Sequence, residues 1–169
     1  MPVIISDEMD VKTDISSVTN RLSMLCSRRE YCVSDVFSKA LKALEGDREG
    51  AQKVVESLVR DRYVDDYRYS CAYVRDKSAI SGWGVSKIRY MLSAKGVARD
   101  VIDKALLEMD ADKAEARMDR LLRLKSRSLK GDAQIRVKLL RYAVGRGYPY
   151  EEASCAINEI LKEDEYNGI

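Results

Sequence analysis

The chain has 169 residues with 30 lysines and arginines, 28 aspartates and glutamates, and no histidine. A chain of this length can bury a core without disulfides or a structural metal, and the missing histidine excludes mechanisms that need an imidazole base or ligand. No stretch approaches the roughly 18 apolar residues of a membrane span, and the acidic N-terminal segment lacks the basic start of a secretion signal. We therefore expect a soluble, cytoplasmic, monomeric protein without a cofactor.

The net charge of +2 conceals a strong separation of charge along the chain. Residues 67–147 hold 19 basic and 9 acidic side chains, a local charge of +10, and the remaining residues hold 11 basic and 19 acidic side chains, a charge of −8. Charges that only solvate helix faces would be of mixed sign, so the separation favours a polyanionic or acidic partner.

Both ends of the chain are acidic and predict tails. Residues 1–16 mix acidic residues with Ser and Thr, which is typical of a flexible tail, and residues 164–169 form a second, shorter one. The four cysteines follow no zinc-binding spacing, so we expect reduced packing residues at all four positions. They are Cys26, Cys32, Cys71 and Cys155.

Helical spacing of apolar residues begins directly after the N-terminal tail. Ser16 or Ser17 is the predicted N-cap of the first helix, a second helix ends at the sequence GDREG, and a third buries Val54–Val55 and Leu58–Val59. Residues 17–62 therefore form a predicted unit of three helices.

Residues 63–109 repeat this order. A helix that follows Asp65 is predicted to bury Tyr69, Ala72 and Tyr73 and to end near Lys77. The segment SAISGWG and two further helices come next, and residues 110–163 then show the same order a third time.

Glycines mark the connections of the second and third units. Gly82 and Gly84 flank Trp83, whose ring is either an exposed interface anchor or, as we favour, packed over the middle helix. Gly96 is placed to end the middle helix in a left-handed conformation, and Gly147 stands 51 residues later at the matching position.

A basic residue follows an apolar helical stripe at three positions 48 residues apart, Arg29, Lys77 and Lys125. The residues before them, Leu25–Cys26, Tyr73–Val74 and Leu121–Leu122, all fall on the predicted buried side. This internal repeat predicts an all-α fold, an elongated curved array of three tandem three-helix repeats. Such arrays usually bind a partner and carry no catalytic centre.

The middle repeat resembles the RecX family of recombination regulators. The resemblance covers roughly Val18 to Leu161 and is sharpest over Tyr63 to Glu108. Two departures are Ser70–Cys71, where a pair of small alanine-like residues is usual, and a GDREG connection that is longer than expected. The matching residues are Tyr63-Val64-Asp65-Asp66, Tyr69, Tyr73-Val74-Arg75, Gly84, Ile88, Leu92, Lys95-Gly96-Val97 and Ala105-Leu106.

The resemblance implies a regulatory protein that is not an enzyme. RecX proteins bind the RecA recombinase, lie in the helical groove of its filament on single-stranded DNA, and inhibit its ATPase and strand-exchange activities. By blocking filament extension they favour net loss of the filament, and family members also bind DNA directly.

The basic centre of the chain supplies the candidate binding surface for the recombinase filament or for single-stranded DNA. No catalytic, cofactor or metal site is predicted: Asp65 and Asp66 are interpreted as helix-start charges, and the sequence around Trp83 lacks the context of a phosphate loop. The candidate residues are Arg75, Lys77, Lys87, Arg89 and Lys95 in the second repeat and Arg123, Lys125, Arg127, Lys130, Arg136 and Lys138 in the third.

Two other functional classes remain open at this stage. A stand-alone nucleic-acid-binding module would place one helix in a groove, although the basic residues are spread over two repeats. A helical-repeat adaptor for an unrelated protein would not need the positive centre.

Overall fold

The computed structural model describes residues 14–166, and within this range it contains nine α-helices and no strand. Residues 1–13 of the predicted N-terminal tail lie outside the described residues, as do residues 167–169 at the other end. The helices are α1 (Ile15–Cys26), α2 (Val33–Ala43), α3 (Arg48–Arg60), α4 (Asp66–Ala79), α5 (Val85–Ala94), α6 (Arg99–Leu106), α7 (Ala111–Ser128), α8 (Ile135–Gly145) and α9 (Tyr150–Tyr166).

The predicted all-α fold of three tandem three-helix repeats is confirmed. Helices α1–α3, α4–α6 and α7–α9 each pack against the other two members of their own triplet. The chain divides into two compact units between Asp65 and Asp66, of which the first holds the first repeat and the second holds the second and third. No helix in the described part of the chain is long and apolar enough to cross a membrane.

The first helix of every repeat buries residues at the same phase. Two positions separated by one helical turn recur at intervals of 48 residues and are buried each time, which explains the periodicity of the sequence. These are Leu22, Ser70 and Met118, and then Cys26, Val74 and Leu122.

The three basic positions at the same interval are not equivalent, however. Helix α1 ends at Cys26, so Arg29 lies in the connection after it, whereas Lys77 and Lys125 lie in the last turns of α4 and α7. Counted from Val74 and Leu122, which match Cys26, α4 and α7 continue for five and six further residues, more than one helical turn. The prediction of three matched basic positions is therefore wrong for Arg29.

Two predictions about buried faces are also corrected. Ala72 and Tyr73 are only half-buried, because the inward face of α4 consists of Tyr69, Ser70 and Val74. Val59 lies on the outward side of α3 and is 44% exposed, because Val55 and Leu58 lie on the inward face of this helix.

The N-cap of the first helix lies two or three residues before the predicted position. Asp14 is the N-cap of α1 and accepts a hydrogen bond at 3.1 Å from the backbone N–H of Ser16, in place of the predicted Ser16 or Ser17. At the other end, residues 164–166 of the predicted tail are the last turn of α9.

The connection between the second and third helix is the same in all three repeats. Each has four residues, at 44–47, 95–98 and 146–149, so the GDREG connection is not longer than its counterparts. Each middle helix ends in a Schellman-type turn, in which the second residue beyond the helix C-cap donates to a carbonyl five residues back. Gly96 (φ +76°) and Gly147 (φ +90°) take the left-handed position as predicted, and Glu45 (φ +51°) takes it in the first repeat.

Candidate functional site

Three of the predicted surface residues form ion pairs within the chain. Arg89 pairs with Asp103, and Lys138 pairs with Asp132. Arg123 donates to two carboxylates, one on its own helix and one on α9, and the hydrogen bonds to Glu163 and then to Asp119 raise the pKa of its guanidinium. A charge that is already neutralised contributes little to an external anion, so these three residues are weaker candidates than the sequence suggests.

Four other predicted lysines lie over aromatic rings. Lys77 Nζ is 4.9 Å from the centroid of the Trp83 ring and 5.4 Å from that of Tyr73, and Lys87 Nζ is 4.5 Å from that of Trp83. An ammonium at this distance is attracted to the ring face by about 0.5–1 kcal/mol at an exposed site. Trp83 is therefore a half-buried ring beneath charged side chains, as the packing interpretation requires, and not a bare anchor.

These contacts continue along α4. The Tyr69 and Tyr73 rings are 5.8 Å apart, and Lys95 Nζ lies 5.9 Å from the Tyr69 ring. The second repeat thus carries an unbroken series of rings and ammonium groups, which we call the cation–aromatic row. Its members are Lys95, Tyr69, Tyr73, Lys77, Trp83 and Lys87.

The third repeat has a shorter series of the same kind. Tyr142 on α8 has Arg146 at 4.9 Å and Lys125 at 5.8 Å from its ring centroid. Arg146 and Tyr142 were not among the predicted surface residues. The signal that could have found Arg146 is its match to Lys95, since both residues directly precede the left-handed glycine of their repeat.

The four remaining predicted residues are exposed. Within residues 14–166 they have no ion-pair partner and lie over no aromatic ring, so they are the most available charges of the set. They are Arg75, Arg127, Lys130 and Arg136.

The two basic repeats are joined by backbone hydrogen bonds. Gly84, the N-cap of α5, donates its N–H to the carbonyl of Arg146 at 2.8 Å, and Ser86 donates to the carbonyl of Gly147 at 3.0 Å. Helix α5 has no side-chain cap, so these carbonyls at the end of α8 satisfy N–H groups that a helix start otherwise leaves to water. We call this contact the repeat junction.

Side chains reinforce the repeat junction from the third repeat. Arg146 Nη1 donates to the carbonyl of Ser81 at 2.8 Å, and the Tyr148 hydroxyl donates to the carbonyl of Gly82 at 3.1 Å. Burial raises the pKa of Tyr148, so its hydroxyl stays a neutral donor at physiological pH. From the second repeat, Lys87 Nζ donates to the carbonyl of Gly145 at 3.4 Å.

Glycines at the repeat junction permit the close approach of the two backbones. A Cβ on Gly84 would lie 2.5 Å from the carbonyl carbon of Gly147 and from the amide nitrogen of Tyr148. A Cβ on Gly147 would overlap the backbone of Lys87. Neither position tolerates a side chain without moving the repeats apart.

The charge of α9 argues against a simple helix-turn-helix reader of DNA. In such a motif the helix that follows the tight turn enters the DNA groove, so its charge must be compatible with the anionic DNA backbone. Helix α9 follows the four-residue connection of the third repeat but carries six acidic residues and one lysine. The positive charge of this repeat lies instead on α7 and α8.

The described residues hold no evident centre for metal chemistry. No group of three or more Cys, Asp or Glu side chains within residues 14–166 is arranged to hold a metal ion. All four cysteines are free thiols, and burial raises the pKa of the Cys32 thiol. Fold and surface together define a helical-repeat protein with exposed cations on its second and third repeats.

Comparisons with known proteins identify the family. The model of the second three-helix domain of RecX proteins matches residues 65–106. The regulatory protein RecX of Salmonella arizonae is 30% identical over 121 residues, which cover 72% of either chain. That of Prosthecochloris aestuarii is 29% identical over 150 residues, or 88% of this chain and 97% of the relative. The chain belongs to the RecX family.

The fold agrees with a solved member of that family. The crystal structure of RecX from Lactobacillus salivarius superposes with a TM-score of 0.75 at 21% identity, over 88% of this chain and 97% of the other. Several clostridial relatives are longer than this chain, which spans between 56% and 59% of their length.

Proposed function

We propose that this protein binds the filament that RecA forms on single-stranded DNA and inhibits RecA ATPase activity, strand exchange and filament extension. Membership of the RecX family supports a regulatory role. The observation that carries the proposal is the repeat junction, because it makes two basic repeats one compact unit with exposed cations on both.

A filament offers the same surface again and again, so a repeat protein can contact successive subunits through weak individual contacts that add up. When the contacting surfaces are joined rigidly, binding does not lose the conformational entropy that the ordering of flexible segments would cost. The repeat junction supplies this linkage between the second and third repeats. Because the contacts are charged and exposed, the affinity should fall as the salt concentration rises.

The exposed arginines are the side chains we assign to the partner. Arg75 lies on α4, Arg127 on α7 and Arg136 on α8, so the set takes exposed cations from both basic repeats. Lys77 and Lys125 are poorer choices for a test, since replacing either also removes a contact with an aromatic ring. A variant at the arginines separates charge from packing.

The test is a titration of the protein into a DNA-dependent RecA ATPase assay. We expect inhibition at fewer than one molecule per RecA subunit, and we expect the variant Arg75→Gln, Arg127→Gln, Arg136→Gln to need at least about tenfold more protein, because three charged contacts are lost. The matched control is Arg21→Gln, Arg28→Gln, Lys42→Gln, which removes three exposed charges from the first repeat and should inhibit within about twofold of the parent. Unchanged hydrolysis at one molecule per RecA subunit contradicts the proposal.

A stand-alone nucleic-acid-binding module is the second candidate. The cation–aromatic row favours it, because proteins that bind single strands combine basic side chains with rings on which bases stack. Affinities for bare single-stranded DNA and for the RecA filament, measured at the same salt concentration, separate the two functions. Tighter binding to bare DNA would support the stand-alone module.

The remaining properties belong to the same proposal. We propose a cytoplasmic monomer that needs no cofactor and catalyses no reaction, with repeats that consist of α1–α3, α4–α6 and α7–α9. Sedimentation of the purified protein in the concentration range of the ATPase assay tests the monomeric state.

A further inference from the structure

The acidic end of α9 lies against the basic end of α7. Glu163 Oε2 is 2.7 Å from Arg123 Nη1, and Asp164 Oδ2 accepts a hydrogen bond at 3.0 Å from the hydroxyl of Ser126, a residue with 4% exposure. From Arg120 to Lys130, both included, the chain has five basic residues and no acidic one. The carboxylates of α9 therefore meet one of the most positive segments of the chain.

A groove lies beside this contact and is lined by residues of both helices. It has a volume of about 430 Å³ and an apolar base that includes the buried Ile160. Arg127 and Lys130 lie on one wall, and the three consecutive acids Glu163, Asp164 and Glu165, which we call the acidic latch, lie on the other. The groove is thus lined by exposed cations on one side and by the chain's own anions on the other.

The acidic latch is placed against the local preference of its helix. The C-terminal end of a helix carries partial negative charge, so acids there are unfavourable by about 0.3–1 kcal/mol each. Helix α9 nevertheless carries Glu163, Asp164 and Glu165 in its last turn, directly before Tyr166, and has no basic residue there. Contacts with Arg123 and Ser126 offset this cost, and without them the last turn should fray.

Cations on the opposite wall recur along α7. Arg123 and Arg127 are four residues apart, which is about 6 Å along the helix axis, and Lys130 extends the series past the helix end. A linear series of cations fits a backbone with regularly repeated anions, such as that of a single-stranded nucleic acid. The irregularly spaced carboxylates on the surface of a folded protein match this linear series of cations less well.

We propose that this groove binds the phosphate backbone of a single-stranded nucleic acid, and that the acidic latch on its wall holds Arg123 and Ser126 until the strand displaces the carboxylates. The inference rests on the proposed function in taking the third repeat as part of the binding surface. Arg123 exchanges a carboxylate for a phosphate partner, and Arg127 and Lys130 gain anions. The latch thereby lowers the affinity of the groove for weakly binding anions, so that only a more tightly binding strand displaces it.

The first test compares two variants that change the net charge equally. Glu163→Gln, Asp164→Asn, Glu165→Gln removes the latch, and Glu151→Gln, Glu152→Gln, Glu159→Gln removes three exposed acids elsewhere on α9. Anisotropy of a fluorescein-labelled oligothymidine should show the latch variant binding at least about fivefold more tightly than the control, since general attraction is the same in both. Equal affinities of the two variants overturn the inference.

The second test uses the unmodified protein and does not depend on the folding of a variant. Amide hydrogen exchange at residues 160–166 should become faster when oligothymidine binds, because the latch loses its partners. Slower or unchanged exchange overturns the inference. If the strand displaces the latch but RecA hydrolysis is unaffected, only the proposed function fails; if hydrolysis is inhibited and the latch stays in place, only this inference fails.

Discussion

The backbone N–H of Gly84 donates to the carbonyl of Arg146 across 2.8 Å, and this bond joins the start of α5 to the end of α8. The two residues are 62 positions apart in the chain, and neither contributes a side chain to the bond. The positive end of one helix thus meets the negative end of another, a favourable alignment of helix dipoles. The relative position of the second and third repeats follows from this bond and from the glycines beside it.

Replacing the glycine on the α8 side of the repeat junction should be costly. Gly147→Ala combines a left-handed backbone with a Cβ that overlaps Lys87, whereas Gly96→Ala has the same kind of backbone with no atom within 4 Å of its Cβ. We expect a loss of about 1 kcal/mol for Gly96→Ala and about 2–4 kcal/mol for Gly147→Ala, because overpacking adds to the strain. Urea unfolding measures both.

Equal losses for the two variants would show that the repeat junction adjusts to a Cβ without cost. A third variant removes the backbone effect, since Gly84 has an ordinary φ of −82° and Gly84→Ala suffers from steric overlap alone. It should fall between the other two.

The sequence predicted part of this arrangement. The 51-residue spacing of Gly96 and Gly147 correctly identified two helix ends, because a left-handed turn is a local feature with a local signal. The second role of Gly147, its contact with Lys87, depends on how two repeats meet. No periodicity in a single sequence encodes such a contact.

Ser70 is a buried polar residue at an otherwise apolar core position. Its hydroxyl has no hydrogen-bond partner among the described residues, although the equivalent positions hold Leu22 and Met118. Ser70→Ala should therefore raise the free energy of unfolding by about 1 kcal/mol, because an unsatisfied buried hydroxyl is removed. Thermal and urea unfolding check the direction.

Ser126→Ala is the matched control for this prediction. The Ser126 hydroxyl is also buried but donates to the carboxylate of Asp164 at 3.0 Å. Its removal should lower the free energy of unfolding by about 1–2 kcal/mol, because a hydrogen bond to a charged group is lost. Stabilisation by both substitutions, or by neither, would contradict this account of the two hydroxyls.

Glu45 occupies the left-handed position that glycine holds in the other two repeats. Its φ of +51° is unfavourable for a residue with a Cβ. Glu45→Gly should stabilise the first repeat by about 1 kcal/mol, and Glu45→Ala should not, since alanine keeps the Cβ. A gain from both variants in urea unfolding would assign the effect to the glutamate charge instead of the backbone.

The candidate surface was predictable as a region but not residue by residue. Charge counting located the positive segment, yet Arg123 is bound to Glu163, 40 positions later, while Arg127 one turn away is exposed. Both residues look alike in the sequence. The difference arises where α9 ends against α7, so it depends on tertiary packing and not on composition.

Acid sensitivity should arise in the connection between α7 and α8. Lys138, and then the backbone N–H of Gln134, lower the pKa of Asp132 below its ordinary value. A group with a lowered pKa in the folded state stabilises the fold above its unfolded pKa, and the contribution is lost as the pH falls through the folded value. Asp132→Asn should therefore lower the thermal midpoint at neutral pH and flatten its decline below about pH 4. Thermal unfolding of the parent, of this variant and of the exposed control Asp76→Asn, measured over a range of pH, gives the effect. An equally steep fall of the thermal midpoint at acid pH for the parent and for Asp132→Asn would contradict it.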